Sequence, residues 1–159
     1  SALAAPVAPS RLVPLLPPTP EGWVATDPVE SESEGEVKIS VAGRTYAETP
    51  KSVAEGEAAA DPATVSINIT DCADSEDVAA AYAAAWSEPD AEHEDGFAKA
   101  ITFEGSPGRE TFDKPAETAV IVLRVRDRFF VQIETVGLPP EQARAWLARV
   151  DLKKLAALK

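Results

Sequence analysis

The residues best suited to nucleophilic chemistry in this sequence are its single cysteine and single histidine, Cys72 and His93. Cys72 follows a predicted strand and precedes a predicted helix, whose N-terminus can lower the pKa of a nearby thiol. A Cys–His dyad would use that thiol as a nucleophile, but the carboxylates within residues 71–77 disfavour a thiolate. We therefore favour a buried free cysteine, rank a hydrolase last, and predict that the protein is not an enzyme.

The stretch PDAEHEDG around His93 contains residue types that bind metal ions. Its carboxylates are those of Asp90, Glu92, Glu94 and Asp95. A calcium-binding EF-hand loop needs glycine at its sixth position and glutamate at its twelfth, but counted from Asp90 these positions hold Asp95 and Ile101. We predict a solvated acidic loop, no metal site and no cofactor, with weak divalent binding as the alternative.

The other signatures of catalysis are weak. The sequence contains neither a P-loop nor a G-x-G-x-x-G motif, and GSPGRE is not the nucleophile elbow G-x-S-x-G. Of its 27 acidic residues, only Glu104 and Glu110 lie in an apolar context of the kind that suits a carboxyl group to acid–base chemistry. We interpret the carboxylates as surface charge.

Three arginines, Arg124, Arg126 and Arg128, alternate along a predicted hairpin. They would form a basic strip that binds a carboxylate, a phosphate or an acidic partner. The alternative is an exposed sheet face in which Arg124 lies over Phe130 and pairs with a nearby carboxylate. Both interpretations are open.

The first 20 residues form a predicted arm, because six prolines fix φ and remove backbone donors. Such a segment is expected to be extended, without helix. Its apolar anchors are Leu12, Val13, Leu15 and Leu16, with Trp23 just beyond it. These side chains need a surface, which is either the arm's own domain or a partner protein.

The remaining residues, 21–159, are expected to form a single domain. Alternating apolar residues predict strands, the clearest of them over 63–71, 119–125 and 129–135. In the last pair, Val125 opposite Phe129 gives two self-consistent faces. Helices are predicted over 75–88, 141–150 and 151–158. This order predicts an α+β fold: a meandering antiparallel sheet with helices packed on one face, plus the extended proline-rich arm.

The order of these elements resembles PsbP/Mog1-like domains and bacterial exported α+β domains. The resemblance includes Gly22-Trp23, a strand that ends in Asp71, the segment 95–99 (DGFAK), the segment 127–129 (DRF) and a leucine-rich C-terminal helix. It covers roughly residues 22–158. It implies a fold and an exported or accessory role, and it identifies no site residue.

Composition limits the partners. The chain has 159 residues and a formal net charge of −12, which argues against nucleic acid and anionic membrane surfaces. No apolar run is long enough to span a membrane. The sequence does not begin with methionine, so either a leader has been removed or the chain has been trimmed. Its small N-terminal residues favour an exported protein whose signal peptide has been removed, and a residual tag residue at Ser1 is the alternative. We expect a periplasmic or secreted protein, with a bacterial composition.

Two functions follow as hypotheses. The first is a non-catalytic accessory protein of the bacterial periplasm or cell envelope that docks on a partner protein, membrane-associated complexes included, through the arm and the sheet surface. The second is a small-ligand or lipid carrier with a pocket between sheet and helix. That pocket would be lined by Trp23, Tyr82, Trp86 and Trp146.

Overall fold

A computed structural model describes residues 5–33, 35–36, 38–50, 54–57, 61–73, 76–84 and 86–159, with backbone only for 76, 78, 79 and 82. Within these residues, nine strands form one antiparallel sheet. The strands are β1 (Trp23–Ala25), β2 (Val29–Glu32), β3 (Ser40–Glu48), β4 (Thr64–Asp71), β5 (Ala91–His93), β6 (Gly96–Phe103), β7 (Ser106–Asp113), β8 (Thr118–Val125) and β9 (Phe129–Val136). The α-helices are α1 (Pro9–Leu12), α2 (Glu76–Ala84), α3 (Pro140–Leu147) and α4 (Leu152–Ala157). The fold is thus a mostly antiparallel sheet with a few short helices.

The strand order across the sheet is β1-β3-β4-β9-β8-β7-β6-β5, and β2 also pairs with β3. The predicted pairing of Val125 with Phe129 is confirmed, and the β8–β9 register follows from it. Arg126 and Asp127 in the connecting turn have φ values of 57° and 55°. The long central strands β4, β9 and β8 therefore lie in the middle of the sheet, and the β5–β7 strands form one end.

The hydrophobic core lies on one face of the central strands. Alternate residues of β8 are fully buried or nearly so, from Ala119 through Ile121 and Leu123 to Val125. They belong to the same cluster as buried residues of α1, α3 and α4, such as Leu12, Leu147 and Leu155. Each such large apolar side chain contributes about 1.5–3 kcal/mol through burial.

The opposite face has an aromatic contact of its own. Phe130 follows Phe129 along β9, so its side chain points away from the core face. The ring of Trp86, just beyond α2, lies 6.0 Å from that of Phe130. The described chain therefore places aromatic side chains in contacts on both faces of the sheet.

The N-terminal segment differs from the predicted extended arm. Residues 9–12 form α1, and Val13–Leu15 continue as a 3₁₀ helix. Pro9 occupies the first turn of α1 and Pro14 the first turn of the 3₁₀ helix, where a missing N–H costs nothing and the fixed φ suits a helix. The prolines therefore shorten the helical turns without preventing them. Val7, Leu12 and Leu15 lie in the common core, so this segment contributes to the same core as the sheet.

Candidate partner-binding surface

Asp71 anchors the N-terminal segment to the sheet. Its carboxylate is fully buried and accepts hydrogen bonds from the backbone N–H of Val7 at 2.7 Å and of Ala73 at 2.8 Å. Arg128 donates to the same carboxylate through Nε at 2.8 Å and Nη2 at 2.9 Å. Because a buried carboxylate needs this degree of compensation, the four donors fix the segment, the end of β4 and the start of β9 relative to one another.

Further hydrogen bonds hold the segment along its length. The hydroxyl of Tyr46 donates to the carbonyl of Pro17, and burial raises the pKa of Tyr46. The N–H of Asp151 donates to the carbonyl of Leu15 at 3.1 Å. Within the described chain, the segment therefore contacts both β3 and the start of α4.

The predicted apolar anchors of the arm lie against their own domain. Leu12, Leu15 and Leu16 are buried, and Val13 is half-buried against the core. Of the two interpretations left open by the sequence, the geometry agrees with packing on the same chain. Three of the four anchors are thus inaccessible to a partner while the segment keeps this position.

The three arginines of the hairpin bind groups of their own chain. Arg128 pairs with Asp71. Arg126 donates to the carbonyls of Ala156 and Leu158, so it caps the C-terminus of α4. Nε of Arg124 lies 3.1 Å from a carboxylate oxygen of Asp127 without the geometry of a hydrogen bond. The expected basic strip is therefore occupied by internal contacts, and Arg124 lies opposite Phe130 as predicted.

Among the described side chains of the predicted ligand pocket, those of Trp23, Trp86 and Trp146 do not converge. The rings of Trp23 and Trp146 meet edge to face at 5.0 Å, and Tyr46 lies 4.9 Å from Trp146. Trp86 contacts Phe130 on the opposite face. The side chain of Tyr82 lies outside the described residues. Trp23 and Trp146 are thus part of the packed core face, which explains why these two aromatics do not line an open pocket.

Two surface cavities lie elsewhere. A groove of about 630 Å³ runs between the β6–β7 turn, the end of β8 and the connection from α3 to α4. Its charged lining residues are Glu104, Arg149, Asp151 and Lys153. A smaller hollow of about 380 Å³ lies at the β5–β6 edge, beside Phe97 and Lys99. Among the described residues that line these two cavities, none is Trp23, Trp86 or Trp146.

Cys72 and His93 are far apart. Cys72 is buried beside the end of β4, whereas His93 is exposed at the end of β5. These two strands are five positions apart in the sheet, roughly 24 Å at the usual strand spacing. Burial, followed by the charge of Asp71, raises the pKa of Cys72 to about 11. Cys72 and His93 are therefore too far apart to form a Cys–His dyad.

The raised pKa of Cys72 predicts a loss of stability at alkaline pH. The pKa of this thiol is about 11 in the folded protein, against an ordinary value of 9.0. The protonated thiol therefore contributes fully to the unfolding free energy below pH 9, and this contribution is lost as the pH rises through 11. We expect the unfolding free energy of the wild type to fall relative to that of Cys72→Ala across this range, measured by urea denaturation. Tyr46 titrates in both proteins and cancels. Parallel curves would contradict the prediction.

Glu110 has a role that the sequence did not reveal. Its carboxylate is buried on the core face and lies 2.6 Å from Nε of Arg144 on α3 and 3.7 Å from Nζ of Lys99 on β6. Glu110 therefore joins α3 to the outer strands. Glu104 is exposed in the β6–β7 turn, with φ of 48°. Among the described residues, no group of three or more His, Cys, Asp or Glu side chains is placed to hold a metal ion.

The β5–β7 end of the sheet presents apolar side chains that are only half-buried. The strand register places Phe97 opposite Phe112 and Ile101 opposite Gly108, on the same face as the core. Phe97, Ile101, Phe103 and Phe112 all keep partial solvent exposure. We call these four residues the open apolar row. The alternation of apolar residues in β6 signals such a row, but the sequence alone does not indicate that the row remains partly uncovered.

No protein-family model, curated protein or solved structure matches this chain. None of the helices in the described parts of the chain is long and apolar enough to cross a membrane.

Proposed function

We propose that this protein is a non-catalytic interaction protein of the bacterial periplasm or cell envelope that docks on a partner protein through the open apolar row. The observation that carries the proposal is the partial exposure of Phe97, Ile101, Phe103 and Phe112 on one continuous sheet face. Exposed apolar patches with a polar rim are typical of protein interfaces. The proposed location rests on the resemblance to exported domains.

Two other surfaces were candidates for docking, the hairpin arginines and the N-terminal leucines, and both are already engaged in contacts within the chain. Arg126 and Arg128 bind α4 and Asp71, and the N-terminal leucines are buried. Using either surface for a partner would first require breaking contacts within the chain. Ile101, Phe103 and Phe112 of the open apolar row pack against the core, but the outer parts of their side chains, like that of Phe97, reach solvent in the folded chain. The proposal therefore assigns docking to the sheet end and a structural role to the arm and arginines.

Replacement of one aromatic residue tests the docking surface. We expect Phe97→Ala to reduce recovery of a specific partner about tenfold, because truncated aromatic anchors commonly cost more than 1 kcal/mol of binding free energy. Recovery is measured by affinity purification of the tagged protein from its native cells, followed by quantitative mass spectrometry. Val29→Ala is the matched control, since Val29 is 65% exposed on a strand at the other end of the sheet.

One outcome of the affinity purification would contradict docking through the open apolar row. If the same proteins are recovered in equal amount with wild type, Phe97→Ala and Val29→Ala, the open apolar row does not bind the partner. Equal thermal stability of the variants, checked by circular dichroism, ensures that lost recovery reflects a lost contact and not unfolding.

A small-ligand or lipid carrier is the second candidate. The specific observation in its favour is the groove of about 630 Å³ between the sheet end and the α3–α4 connection, a volume within the usual range for ligand sites. Its apolar lining includes Val125, Val150 and Leu152. Native mass spectrometry of the purified protein tests this function: a co-purifying small molecule lost on Val150→Asp supports it, and a protein free of ligand argues against it.

A further inference from the structure

Within the part of the chain that the structure describes, one stretch of strand β6 has an unpaired outer edge. β5 pairs with residues 96–98 of β6 and then ends, since the preceding Pro89 lacks the N–H that a ladder requires. Beyond that point, Ala100 and Thr102 are exposed. The described chain therefore leaves residues 99–103 of β6 without a neighbouring strand on that side.

The backbone groups of Thr102 face this edge. The N–H of Ala100 points outward, because it donates to Oδ1 of Asp90 at 2.9 Å. Alternation along a strand places the N–H and C=O of Thr102 on the same side. Thr102 lies opposite Pro107 of β7, at a position where the two residues of an antiparallel pair do not exchange backbone hydrogen bonds. The Thr102 N–H and C=O and the Ala100 C=O are therefore positioned to pair with an added strand.

Asp90 occupies the place that a partner strand's carbonyl would take at Ala100. The segment that contains Asp90 is held in place by Arg109, a buried residue. The guanidinium of Arg109 donates to the carbonyls of Glu88 at 2.9 Å and Pro89 at 3.3 Å. A side-chain acceptor at one end of an edge limits how far a strand can extend along it. The open stretch thus has a defined start, at Asp90, and a defined end, at the β6–β7 turn.

The charge around this edge is negative. Exposed carboxylates lie at both ends of the open stretch. They belong to Glu88, Asp90, Glu92, Glu94 and Asp95 at one end and Glu104 at the other. Lys99 lies over the ring of Phe97 at 4.6 Å and 3.7 Å from the carboxylate of Glu110, which also pairs with Arg144, so Lys99 is one cation beside several exposed carboxylates. A second copy of this chain, also with a net charge of −12, would be repelled.

We propose that residues 99–103 of β6 receive an extended segment of the partner protein that carries lysine or arginine. Its backbone pairs with Ala100 and Thr102, its apolar side chains extend the open apolar row, and its basic side chains meet the flanking carboxylates. Backbone pairing provides affinity in this mode of recognition, and the side chains provide specificity. The inference rests on the proposed function, because it names the partner segment that the same sheet end would bind.

A short fluorescein-labelled peptide of alternating lysine and valine probes this edge by fluorescence anisotropy. We expect it to bind the wild-type protein, to bind less tightly as salt rises, and to lose about tenfold in affinity with Thr102→Pro, which removes the outward N–H. Proline is tolerated where an edge N–H faces solvent, so the β6–β7 pairing is expected to persist. Thr102→Ala, the matched control, keeps the N–H and should bind within about twofold of wild type.

Amide NMR of the wild-type protein provides a readout that does not depend on the variant's folding. Peptide binding is expected to shift the amides of Ala100 and Thr102 more than those of β1 and β2. Absence of binding, shifts confined to other strands, or equal affinity of Thr102→Pro and Thr102→Ala would overturn the proposal. If one of these results occurs while Phe97→Ala still loses the native partner, docking stands without strand addition. If Phe97→Ala also has no effect, both proposals fail.

Discussion

Asp71→Ala should lower the unfolding free energy by about 3–5 kcal/mol, because it leaves Arg128 without its buried counter-charge. The substitution also removes the acceptor for the backbone N–H groups of Val7 and Ala73. Total stability of a domain is about 5–15 kcal/mol, so the loss would be a large part of it. Urea denaturation followed by circular dichroism measures the change.

The matched variants for this prediction are Asp71→Asn and Arg128→Met. Asparagine keeps an acceptor oxygen in nearly the same position, so we expect a smaller loss than with alanine. In the double variant Asp71→Asn/Arg128→Met, neither charge is left unpaired, and its loss should be smaller than the sum of the two single losses. A loss below about 1 kcal/mol for Asp71→Ala would show that the buried pair does not anchor the N-terminal segment.

Leu12→Ala is the second substitution with a large expected effect, about 2–5 kcal/mol. Leu12 has no exposed surface and lies in the common core with the strands and with α3 and α4. Truncation removes apolar contacts and leaves a cavity that the surrounding helices and strands fill only in part. The urea midpoint, at unchanged slope, reports the loss.

Val13→Ala is the control within the same segment. Val13 is the next residue and is only half-buried. Val13→Ala should therefore lower the unfolding free energy by less than about 1 kcal/mol. If Leu12→Ala and Val13→Ala have equal and small effects, the N-terminal segment does not belong to the core. Its leucines would then again be candidates for partner anchors.

The central hairpin is the part of the fold that the sequence predicts best. In β8 and β9, the period-two alternation is complete on both faces, and only the pairing of Val125 with Phe129 keeps both faces consistent. Local pattern is sufficient there because the two strands are joined by a short turn. The same reasoning places the apolar residues of β4 on the core face.

The N-terminal segment is the part that local reasoning misses. Proline content predicts an extended chain, but the outcome depends on contacts with residues far along the sequence. Val7 and Asp71 are 64 positions apart, and Arg128 and Asp71 are 57 apart. A single sequence carries no signal for such pairs, because each partner is ordinary in its local context. The internal contacts of Arg126 with the end of α4 are hidden for the same reason.

Part of the candidate docking surface can be predicted from the sequence. The alternation of Phe97, Ile101 and Phe103 predicts that these residues share a face, and the register agrees. Whether a helix covers them depends on where α3 and α4 pack, which is over β8 and β9 in the described chain. The partial exposure of the row and the open edge of β6 in the described chain are therefore properties of the assembled fold.

Photo-crosslinking in the cells that produce the protein tests the docking surface most directly. The photoreactive analogue p-benzoylphenylalanine replaces, one at a time, Phe103 in the open apolar row, Val13 in the N-terminal segment, Arg124 in the hairpin and Val29 at the other end of the sheet. We predict a crosslink to one partner protein from position 103 and none from the other three. Crosslinks only from positions 13 or 124, or no crosslink from position 103, would contradict docking through the sheet end.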